Sequence, residues 1–555
     1  MGNIARTLLK IGGSILAFIA AFVLFSNVMN KGNADMSATM KPATFPLVYI
    51  DINNMDVNCM HGYVGDMQGN YLRDKITPLQ EQRSIPIKIK SYGPTIKGIS
   101  FEVRSMDMQR LVEDTEVTEY SQEDADGYVS AVLYLKDLIE PETEYMLIIK
   151  LISGTGQEIK YYTRIFDPGA LYLTEKFDFI MDFHNKIFDK EQAKELVKYM
   201  ETNAEGDNSS FGNVNIHSNF EQLTWGDLNP KIVTKENVSI KEIDSEYANV
   251  TIEYRVSAGS DLFDVREFYR VRRGSERIYL MDYERTMDQI FDTDHTVLVK
   301  DQLLFGISSE EPQMKESDDG SKLCFVKQNA LYSYDNTEGY LARLFSFYDD
   351  ENNDERTIYS DHGIKILSVE DDGEIRFLVY GYMNRGKHEG EVGSAVYKYI
   401  PVSNSIEEEI FIPYSKSYEL LKQDIAYLSY VNKQEKLYML SGQTIYEIDL
   451  TTKTCKKVVS GLLPNRFVVS EDDSLVAWQE GENLYNSDKI ILDTLKNARS
   501  TEIKSEPGTT IIPLGFMDED FIYGLARKVT LPMTVWAGQY FQCIQSASKI
   551  NLEKY

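Results

Sequence analysis

Cysteine is scarce in this sequence, which has four cysteines in 555 residues. They are Cys59, Cys324, Cys455 and Cys543, and none belongs to a C-x-x-C pair. This wide spacing argues against a structural zinc site and against a small fold held together by disulfides. The chain must therefore fold around apolar cores, for which its 43% hydrophobic content is sufficient.

The chain also has few positively charged residues for its length. The chain has 58 lysines and arginines against 87 aspartates and glutamates, which gives a formal net charge of −29. A surface this acidic repels phosphate backbones and anionic lipids, so nucleic acid is excluded as a partner. It suits cations, basic proteins or neutral glycans, although solubility alone also explains it.

Motifs of known catalytic chemistry are missing. The sequence has no G-x-S-x-G elbow, HExxH, Walker A loop or dinucleotide fingerprint. "DTDH" (292–295) and "SDHG" (360–363) place acids beside histidine, but both fall at predicted turns without the separation of a metal site. Paired carboxylates for glycan cleavage stay open, because acids are too numerous to single out a pair.

One acidic stretch resembles the start of an EF-hand loop. In "DDENNDE" (349–355), Asp350, Asn352 and Asp354 alternate, but Glu355 stands where glycine is needed and Asp361 where the final Glu is needed. The sequence therefore favours a solvated loop here. It predicts no catalytic residue, no metal ligand and no cofactor.

The chain has a single long apolar run. Residues 11–30 carry no charge, and about 20 helical residues span about 30 Å, the thickness of a hydrocarbon core. Arg6 and Lys10 precede the run without an accompanying acid, which holds the N-terminus in the cytoplasm. We therefore predict a cytoplasmic tail at 1–10, a single-pass transmembrane signal-anchor at 11–30 and an extracytoplasmic body after a linker at 31–44.

Two alternatives to an anchor remain. A cleaved signal peptide also has an apolar run, although no A-x-A pattern follows this one. The third possibility is a buried helix of a soluble protein. The first two interpretations place the body of the chain outside the cytoplasm.

Short alternating runs predict a β-sandwich at 45–167. Within it, "LKDLIEPETEYMLIIKL" places Leu135, Leu138, Pro141 and Tyr145 ahead of an alternating strand. Residues 84–166 resemble a fibronectin type III module, whose pattern is L-x-x-L-x-P-x-T-x-Y, with one extra residue between Leu138 and Pro141 and without the tryptophan common in such modules. The resemblance implies an Ig-like fold with Tyr145 as a corner that bonds nearby backbone, and a spacer or binding platform more often than an enzyme.

The pattern changes at 168–290, where two helical segments followed by about four strands predict a small α+β domain. His184 lies on the first helix and is read as part of its amphipathic face, with a ligand role as the alternative. His217 and Trp225 lie in a loop-rich stretch, and the Trp is expected to close the core; an exposed ring that stacks on a sugar is the alternative.

The stretch "VREFYRVRR" concentrates arginine in an acidic protein. Strand alternation puts Arg266, Phe268, Arg270 and Arg272 on one face, and Glu267, Tyr269 and Val271 on the other. Pairing with nearby acids is the simplest role for the arginines. A docking patch for an acidic partner is the alternative.

Residues 291–555 contain a weak repeat of an acidic turn followed by an apolar strand. The turns lie near Asp319, Asp372, Lys433, Asp473 and Glu519. "SEDDSLVAW" and "QTIYEIDLTTKTCKKV" resemble the blades of TolB-like and WD40-like β-propellers. The resemblance implies a propeller-like domain, and one interpretation of its last segment is an incomplete blade. A second stack of sandwiches is the rival fold.

The whole chain resembles no one family. It is predicted to be a multidomain, mainly β protein, anchored in the cell membrane of a bacterium. The sequence favours a binding, scaffold or sensor protein with an envelope protein or polysaccharide as partner. A membrane-tethered propeller enzyme, a glycan hydrolase or lyase, is the alternative, and a partner subunit of a signalling kinase is a third.

Overall fold

The computed structural model describes residues 33–35, 40–167, 171–206, 208–291, 298–299, 302–349, 351–481, 486–518, 520–527 and 543–546. Among these residues, no helix is both long enough and apolar enough to cross a membrane. The predicted tail at 1–10 and the predicted anchor at 11–30 lie outside the described residues, so both stay predictions.

The first part of the chain is built from strands. They are β1 (Asn33–Asp35), β2 (Leu47–Ile52), β3 (Met55–Met60), β4 (Ile76–Pro78), β5 (Ser84–Lys90), β6 (Ile96–Ser105), β7 (Leu111–Val117), β8 (Tyr128–Tyr134), β9 (Glu144–Ser153) and β10 (Glu158–Phe166), with 3-10 turns at Gly69–Tyr71 and Glu81–Arg83. One sheet has the order β4-β10-β9-β6-β7, and β2, β5 and β8 are neighbours in a second sheet.

Alternation drives these two sheets together. In β5, the side chains of Ile85, Ile87 and Ile89 are buried, while the intervening residues are half-buried. The three isoleucines share one apolar core with Phe101 of β6 and Leu147 of β9, which belong to the other sheet. Burial of alternate residues on two facing sheets is the packing of a β-sandwich.

Tyr145 makes the contact expected of a tyrosine corner. Its ring is buried, and its hydroxyl accepts a hydrogen bond of 3.2 Å from the backbone N–H of Glu140. The contact fixes the turn before β9 to the core. Membership of the fibronectin type III family stays a prediction.

The next part combines short helices with long strands. It contains α1 (Leu173–Lys186), a 3-10 helix (Gln192–Tyr199), β11 (Asn213–Asn215), α2 (Phe220–Leu223), β12 (Lys231–Ile232), β13 (Asn237–Ile243), β14 (Tyr247–Ala258), β15 (Asp261–Arg273) and β16 (Ile278–Gln289). On β15 the predicted alternation is present: Glu267, Tyr269 and Val271 are buried, whereas Arg266 and Arg270 are exposed.

A single ten-stranded sheet joins this part to the sandwich. Strand β13 pairs in parallel with β3 through Val238 and Val57, which gives the order β11-β16-β15-β14-β13-β3-β2-β5-β8, with β12 paired to β14. The side-chain carbonyl of Asn58 accepts a 2.8 Å hydrogen bond from the Ile240 N–H at this junction. The two predicted domains, 45–167 and 168–290, therefore share a sheet and one apolar core.

The last part consists almost entirely of strands. They are β17 (Leu298–Val299), β18 (Gln302–Leu303), β19 (Gln313–Glu316), β20 (Lys322–Lys327), β21 (Ala330–Asp335), β22 (Tyr340–Phe345), β23 (His362–Val369), β24 (Ile375–Tyr382), β25 (Val392–Ile400), β26 (Ser405–Pro413), β27 (Ser429–Val431), β28 (Lys436–Ser441), β29 (Thr444–Asp449), β30 (Thr454–Ser460), β31 (Phe467–Val469), β32 (Leu475–Gln479), β33 (Lys489–Thr494), β34 (Arg499–Lys504), β35 (Thr509–Met517), β36 (Asp520–Arg527) and β37 (Cys543–Ser546). Two helices, α3 (Glu355–Ile358) and α4 (Tyr418–Tyr427), interrupt them.

These strands form five antiparallel sheets in succession, β19–β22, β23–β26, β27–β30, β31–β34 and β35–β37, and β1 adds in parallel to the edge of the first. The predicted turns near Asp319, Asp372, Lys433 and Asp473 each join the first two strands of one sheet, whereas Glu519 lies outside the described residues. The turn chemistry repeats: Ser317 donates to Asp319 and Ser470 to Asp472, at 2.8 and 2.7 Å. Successive sheets of equivalent build confirm a propeller-like C-terminal part.

The sandwich also packs against the propeller-like sheets. Met146 and Ile148 on β9 share a core with Leu378 and Val396. The Tyr382 hydroxyl donates a buried hydrogen bond of 2.8 Å to the carbonyl of Gly62. We call residues 40–291 the N-terminal half and residues 302–546 the C-terminal half; the cleft described next lies beside this interface.

Candidate ligand-binding cleft

A cavity of about 650 Å³ opens between the two halves. Strands β13 to β16 form one wall, and strands β20 to β23 with residues from the 353–360 segment form the other. Tyr49, Cys59 and His61, from β2 and the end of β3, line it as well. Ligand sites commonly lie at such junctions between structural units, because both units can contribute side chains to one concave surface.

A second cavity of about 480 Å³ adjoins the first. The two share Glu253, Arg266, Asp288, Tyr359 and His362 among their lining residues. The first cavity is called the aromatic chamber and the second the charged chamber. Together they form one cleft whose two ends differ in polarity.

The aromatic chamber takes its character from rings supplied by both halves. Tyr254 comes from β14, Tyr332 from β21, and Phe347 and Tyr348 follow β22. The Arg255 guanidinium lies 5.2 Å from the Tyr348 ring centroid, within the range of a cation–π contact across the cleft. Ring faces and a guanidinium can pack against a planar or sugar-like ligand while donating hydrogen bonds.

A linked set of side chains lies where the chambers meet. The Tyr359 ring stacks on the imidazole of His61, with centroids 3.6 Å apart and planes at 12°. Its hydroxyl donates a short hydrogen bond to Asp361. Lys75 lies 5.8 Å from the Tyr359 ring centroid and donates to the carbonyl of Cys59 at 2.6 Å. This arrangement links β3 in the sandwich to the start of β23.

Burial controls protonation here. Desolvation, reinforced by the nearby Asp74 carboxylate, raises the pKa of Asp361 to about 6. Desolvation lowers the pKa of His362 to about 4 and that of His61 well below its usual value. At neutral pH the two imidazoles are therefore uncharged, whereas Asp361 is largely ionised and readily protonated in mild acid.

Both histidine rings are deeply buried. His61 is 6% exposed and His362 is 4% exposed. Neither ring nitrogen of His61, nor Nδ1 of His362, has a hydrogen-bond partner of normal geometry among the described residues. These nitrogen atoms are themselves buried, and the backbone of Glu355 lies near the His61 ring and that of Tyr359 near the His362 ring.

The charged chamber mixes both signs with acids in excess. Seven carboxylates line it against five lysines and arginines. Part of this charge is paired: Asp74 lies 2.6 Å from Lys241, and Asp288 lies 3.8 Å from Lys327. Within the part of the chain that the structure describes, no group of three or more His, Cys, Asp or Glu is placed to hold a metal ion.

A buried ionic network lies behind the aromatic chamber. His184 Nδ1 is 2.9 Å from Glu267 Oε2, and the hydroxyls of Tyr254 and Tyr269 donate to the same carboxylate. Burial opposes charge on both partners, but the ion pair outweighs it: Glu267 raises the pKa of His184, and His184 with the two hydroxyls lowers that of Glu267. His184 is therefore a core residue of α1, as its helical spacing predicts.

The other residues singled out from the sequence have structural surroundings. Trp225 is 1% exposed, so it closes the core as expected, and its ring lies against Arg285 at 3.4 Å. His217 is in a loop, where its Nδ1 lies 3.0 Å from Asn203 Nδ2. The "DTDH" stretch (292–295) lies outside the described residues.

The EF-hand-like stretch has taken up other contacts. Asp349 forms a 2.6 Å ion pair with Arg385, and Asp354 accepts from the N–H of Arg356 at the start of α3. Carboxylates in these contacts cap a helix and pair with arginine. Asp350, the first residue of the EF-hand-like pattern, lies outside the described residues, so the solvated loop stays a prediction.

Sequence reasoning missed most residues of the cleft. "SDHG" drew attention to Asp361 and His362, but as a turn; His362 instead begins β23, and Asp361 precedes it with its side chain towards the charged chamber. His61, Lys75 and Tyr359 carried no signal at all, since their contacts join positions about 300 residues apart in the chain. An acid beside a histidine was the one available clue.

No family model matches the sequence, and no curated protein matches it. Among solved structures, the chain is similar to dipeptidyl peptidase 4 of Porphyromonas gingivalis at 12% identity, over 39% of this chain and 36% of that one, with a TM-score of 0.22. TolB of Acinetobacter baumannii is similar at 10% identity, over 66% and 78%, with a TM-score of 0.22. Oligogalacturonate lyase of Vibrio parahaemolyticus is similar at 9% identity, over 53% and 94%, with a TM-score of 0.19.

This chain spans about a third of the length of the peptidase. TM-scores near 0.2 carry no argument about activity or evolutionary relationship. The class of protein is therefore defined by the sheets themselves: a mainly β protein in which a sandwich and a long shared sheet adjoin a propeller-like C-terminal half.

Proposed function

We propose that this chain is a membrane-anchored, extracytoplasmic binding protein of a bacterial cell envelope, acting as a sensor or scaffold that takes a polar ligand in its cleft. The proposal rests on which parts of the chain supply the residues that line the cleft. Both halves contribute to both chambers, so an occupant would contact the two halves at once. A ligand held in this way would stabilise one relative placement of the halves, as in a sensor or a scaffold.

The location rests on the apolar run at 11–30 and the acidic body that follows it. The expected partners are an envelope protein or a polysaccharide. The mixed rings and charges of the cleft suit groups on either kind of partner, because they offer stacking surfaces together with hydrogen-bond donors and acceptors.

Photo-crosslinking in intact cells tests this function. A photoreactive phenylalanine analogue replaces Val233, which lines the aromatic chamber and is 51% exposed. The matched control replaces Val402, which is 98% exposed in the turn between β25 and β26. We expect an envelope-derived adduct at position 233 that is missing at 402. Equal adducts, or none at 233, would contradict a ligand in the cleft.

A second candidate function, a membrane-tethered glycan hydrolase or lyase, is favoured by one observation. Asp361 has a pKa of about 6 and a tyrosine hydroxyl on its carboxylate, which suits a general acid at neutral pH. Cell-wall glycans incubated with the purified chain should then give new reducing or unsaturated ends. Asp361→Asn should abolish them while the protein stays folded.

A further inference from the structure

The outer face of β15 carries arginines beyond the end of the cleft. Arg266 lines both chambers, and Arg270 and Arg272 follow it on the same face, about 13 and 20 Å further along the strand. None of the residues from 270 to 279 lines either chamber. This end of the face is therefore a separate surface, and an occupant of it would add to the proposed function, which concerns the cleft.

Tyrosine rings support the guanidinium groups on this surface. Tyr247 on β14 and Tyr279 on β16 flank Arg272 in the register of the sheet. The guanidinium carbons of Arg272 and Arg277 lie 5.3 and 4.6 Å from the Tyr279 ring centroid, and that of Arg270 lies 5.6 Å from the Tyr247 ring centroid. Such cation–π contacts hold a guanidinium in place while its N–H groups stay able to donate. We call these five residues the arginine platform.

Arginines at the borders of the platform are paired with acids, whereas those of the platform are not. Arg266 lies 3.6 Å from Glu253, and Arg273 lies 2.9 Å from Glu175. Among the described residues, no carboxylate oxygen lies within 4.0 Å of the guanidinium nitrogens of the three platform arginines. The chain has 87 acids, so local pairing with an acid, the simplest role for these arginines, is not what holds them.

The unpaired guanidinium groups are accessible to a partner. Arg270 and Arg277 are exposed, and Arg272 is half-buried, with an Nε that has no hydrogen-bond partner. Asp282 faces Arg270 in the register of β16 but forms no ion pair with it within 4.0 Å. The platform is therefore a small positive surface on an acidic protein, and it suits a partner that carries negative groups.

The backbone of β15 is not available to that partner. This strand pairs along its length with β14 on one side and β16 on the other, so a peptide cannot join the sheet here as an added strand. An occupant is held by side chains alone. Planar guanidinium groups bind carboxylates through paired hydrogen bonds, and tyrosine hydroxyls can bond the hydroxyl groups of sugars. A linear polymer of sugars with repeated carboxylates meets both conditions.

We propose that the arginine platform is a docking surface for an acidic polysaccharide built from uronic acid sugars, whose carboxylates pair with Arg270, Arg272 and Arg277. The polymer lies along β15 outside the cleft, and Arg266, already paired with Glu253, ends the platform on the side of the cleft. An acidic polypeptide is the competing partner, and the test separates the two.

The test measures binding of the full chain in detergent to immobilised alginate, a polymer of uronic acids, by biolayer interferometry at pH 7.5. Salt at about 150 mM screens charges further apart than about 8 Å, which reduces the general repulsion between the polymer and the acidic body. We expect alginate to bind at least about 10-fold more tightly than its propylene glycol ester, in which the carboxylates are esterified. Poly-glutamate, the polypeptide probe, should also bind at least about 10-fold more weakly than alginate.

A double variant locates the binding surface. Arg270→Gln with Arg277→Gln removes two exposed charges, so the fold should be kept, and alginate binding should weaken by at least about 10-fold. The matched control, Arg110→Gln with Lys457→Gln, removes two exposed charges elsewhere, on the turn after β6 and on β30. Binding by the control should change by less than about 2-fold.

Equal binding to alginate and its ester would overturn the inference, as would binding to neither polymer or equal losses in the two double variants. Equal or tighter binding to poly-glutamate would also overturn it and would identify an acidic polypeptide as the partner. These failures differ from failure of the proposed function. An adduct at position 233 without alginate binding would refute only the platform, and alginate binding without an adduct would refute only the ligand in the cleft.

Discussion

The two halves of the molecule use strands in opposite ways. In the N-terminal half, a ten-stranded sheet runs from the sandwich into the helix-containing part, and a single apolar core follows it. In the C-terminal half, five short sheets follow one another around smaller apolar cores, one of which also includes Met146 and Ile148 of the sandwich. A defect should therefore spread through the first half and stay local in the second, since repeated sheets contact mainly their neighbours.

The largest expected effect comes from the buried ion pair of the N-terminal half. Glu267→Ala leaves His184 buried without its carboxylate partner, and losing one member of such a pair costs about 3–5 kcal/mol. Chemical denaturation should show this loss in the free energy of unfolding. Arg270→Ala, on the exposed face of the same strand, should cost less than about 1 kcal/mol.

If Glu267→Ala cost no more than its control, the pair would add nothing to stability. The shared core of the N-terminal half would then be stable without the ion pair between His184 and Glu267.

A matched pair of isoleucines compares the halves directly. Ile252 in β14 and Ile490 in β33 are both fully buried, so Ile→Ala should cost about 2–5 kcal/mol at either site. Hydrogen exchange with mass spectrometry should show different ranges. Ile252→Ala should loosen β2 and β5 in the sandwich, whereas Ile490→Ala should loosen only β31 to β36.

Loosening that stops at β13 in the Ile252 variant would break the comparison, because the shared sheet would then not transmit stability. Loosening that reaches β20 in the Ile490 variant would break it from the other side.

The pH dependence of the free energy of unfolding tests the role of Asp361, which lies where the two halves meet. Its folded-state pKa of about 6 lies above the ordinary 3.8, so ionisation costs stability as the pH rises from about 4 to 6. Asp361→Asn removes that cost. The variant should exceed the parent by about 1–3 kcal/mol at pH 7.5 and show no gain at pH 4, as measured by urea denaturation.

A gain of equal size at both pH values would contradict the raised pKa. A loss of stability at pH 7.5 would mean that the hydrogen bond from Tyr359 outweighs desolvation.

The smallest expected effect lies within the sandwich. Tyr145→Phe removes the hydroxyl that accepts from Glu140 N–H, and a single hydrogen bond contributes about 0.5–1.5 kcal/mol. Tyr134→Phe serves as the control, because Tyr134 is exposed. Equal unfolding midpoints for the two variants would show that the corner contact adds no stability.

What the sequence could predict follows the same division. The acidic turns of the C-terminal half were predictable because Ser317 and Asp319 bond within their own turn, which is local chemistry. The shared sheet was not, since Val57 and Val238 come together only through the whole fold. A register between distant strands leaves no periodic trace in either segment.

The cleft is hidden for the same reason. The stacking of His61 on Tyr359 joins a hairpin of the sandwich to a connection between two propeller-like sheets. Alternation correctly placed Glu267 on the inner face of β15, but it gave no reason to expect His184 opposite that carboxylate. Pairs of this kind emerge only once packing is known.

Thiol labelling of intact cells tests the central claim most directly. Val233→Cys and Val402→Cys are made in a background with Cys455→Ser and Cys543→Ser, because Cys455 is exposed and the surroundings of the Cys543 side chain are not described. A membrane-impermeant maleimide should label position 402 fully and position 233 more slowly in cells than in the purified chain. Labelling at neither position until the cells are broken, or equal rates at 233 in cells and in the purified chain, would contradict an extracytoplasmic protein with an occupied cleft.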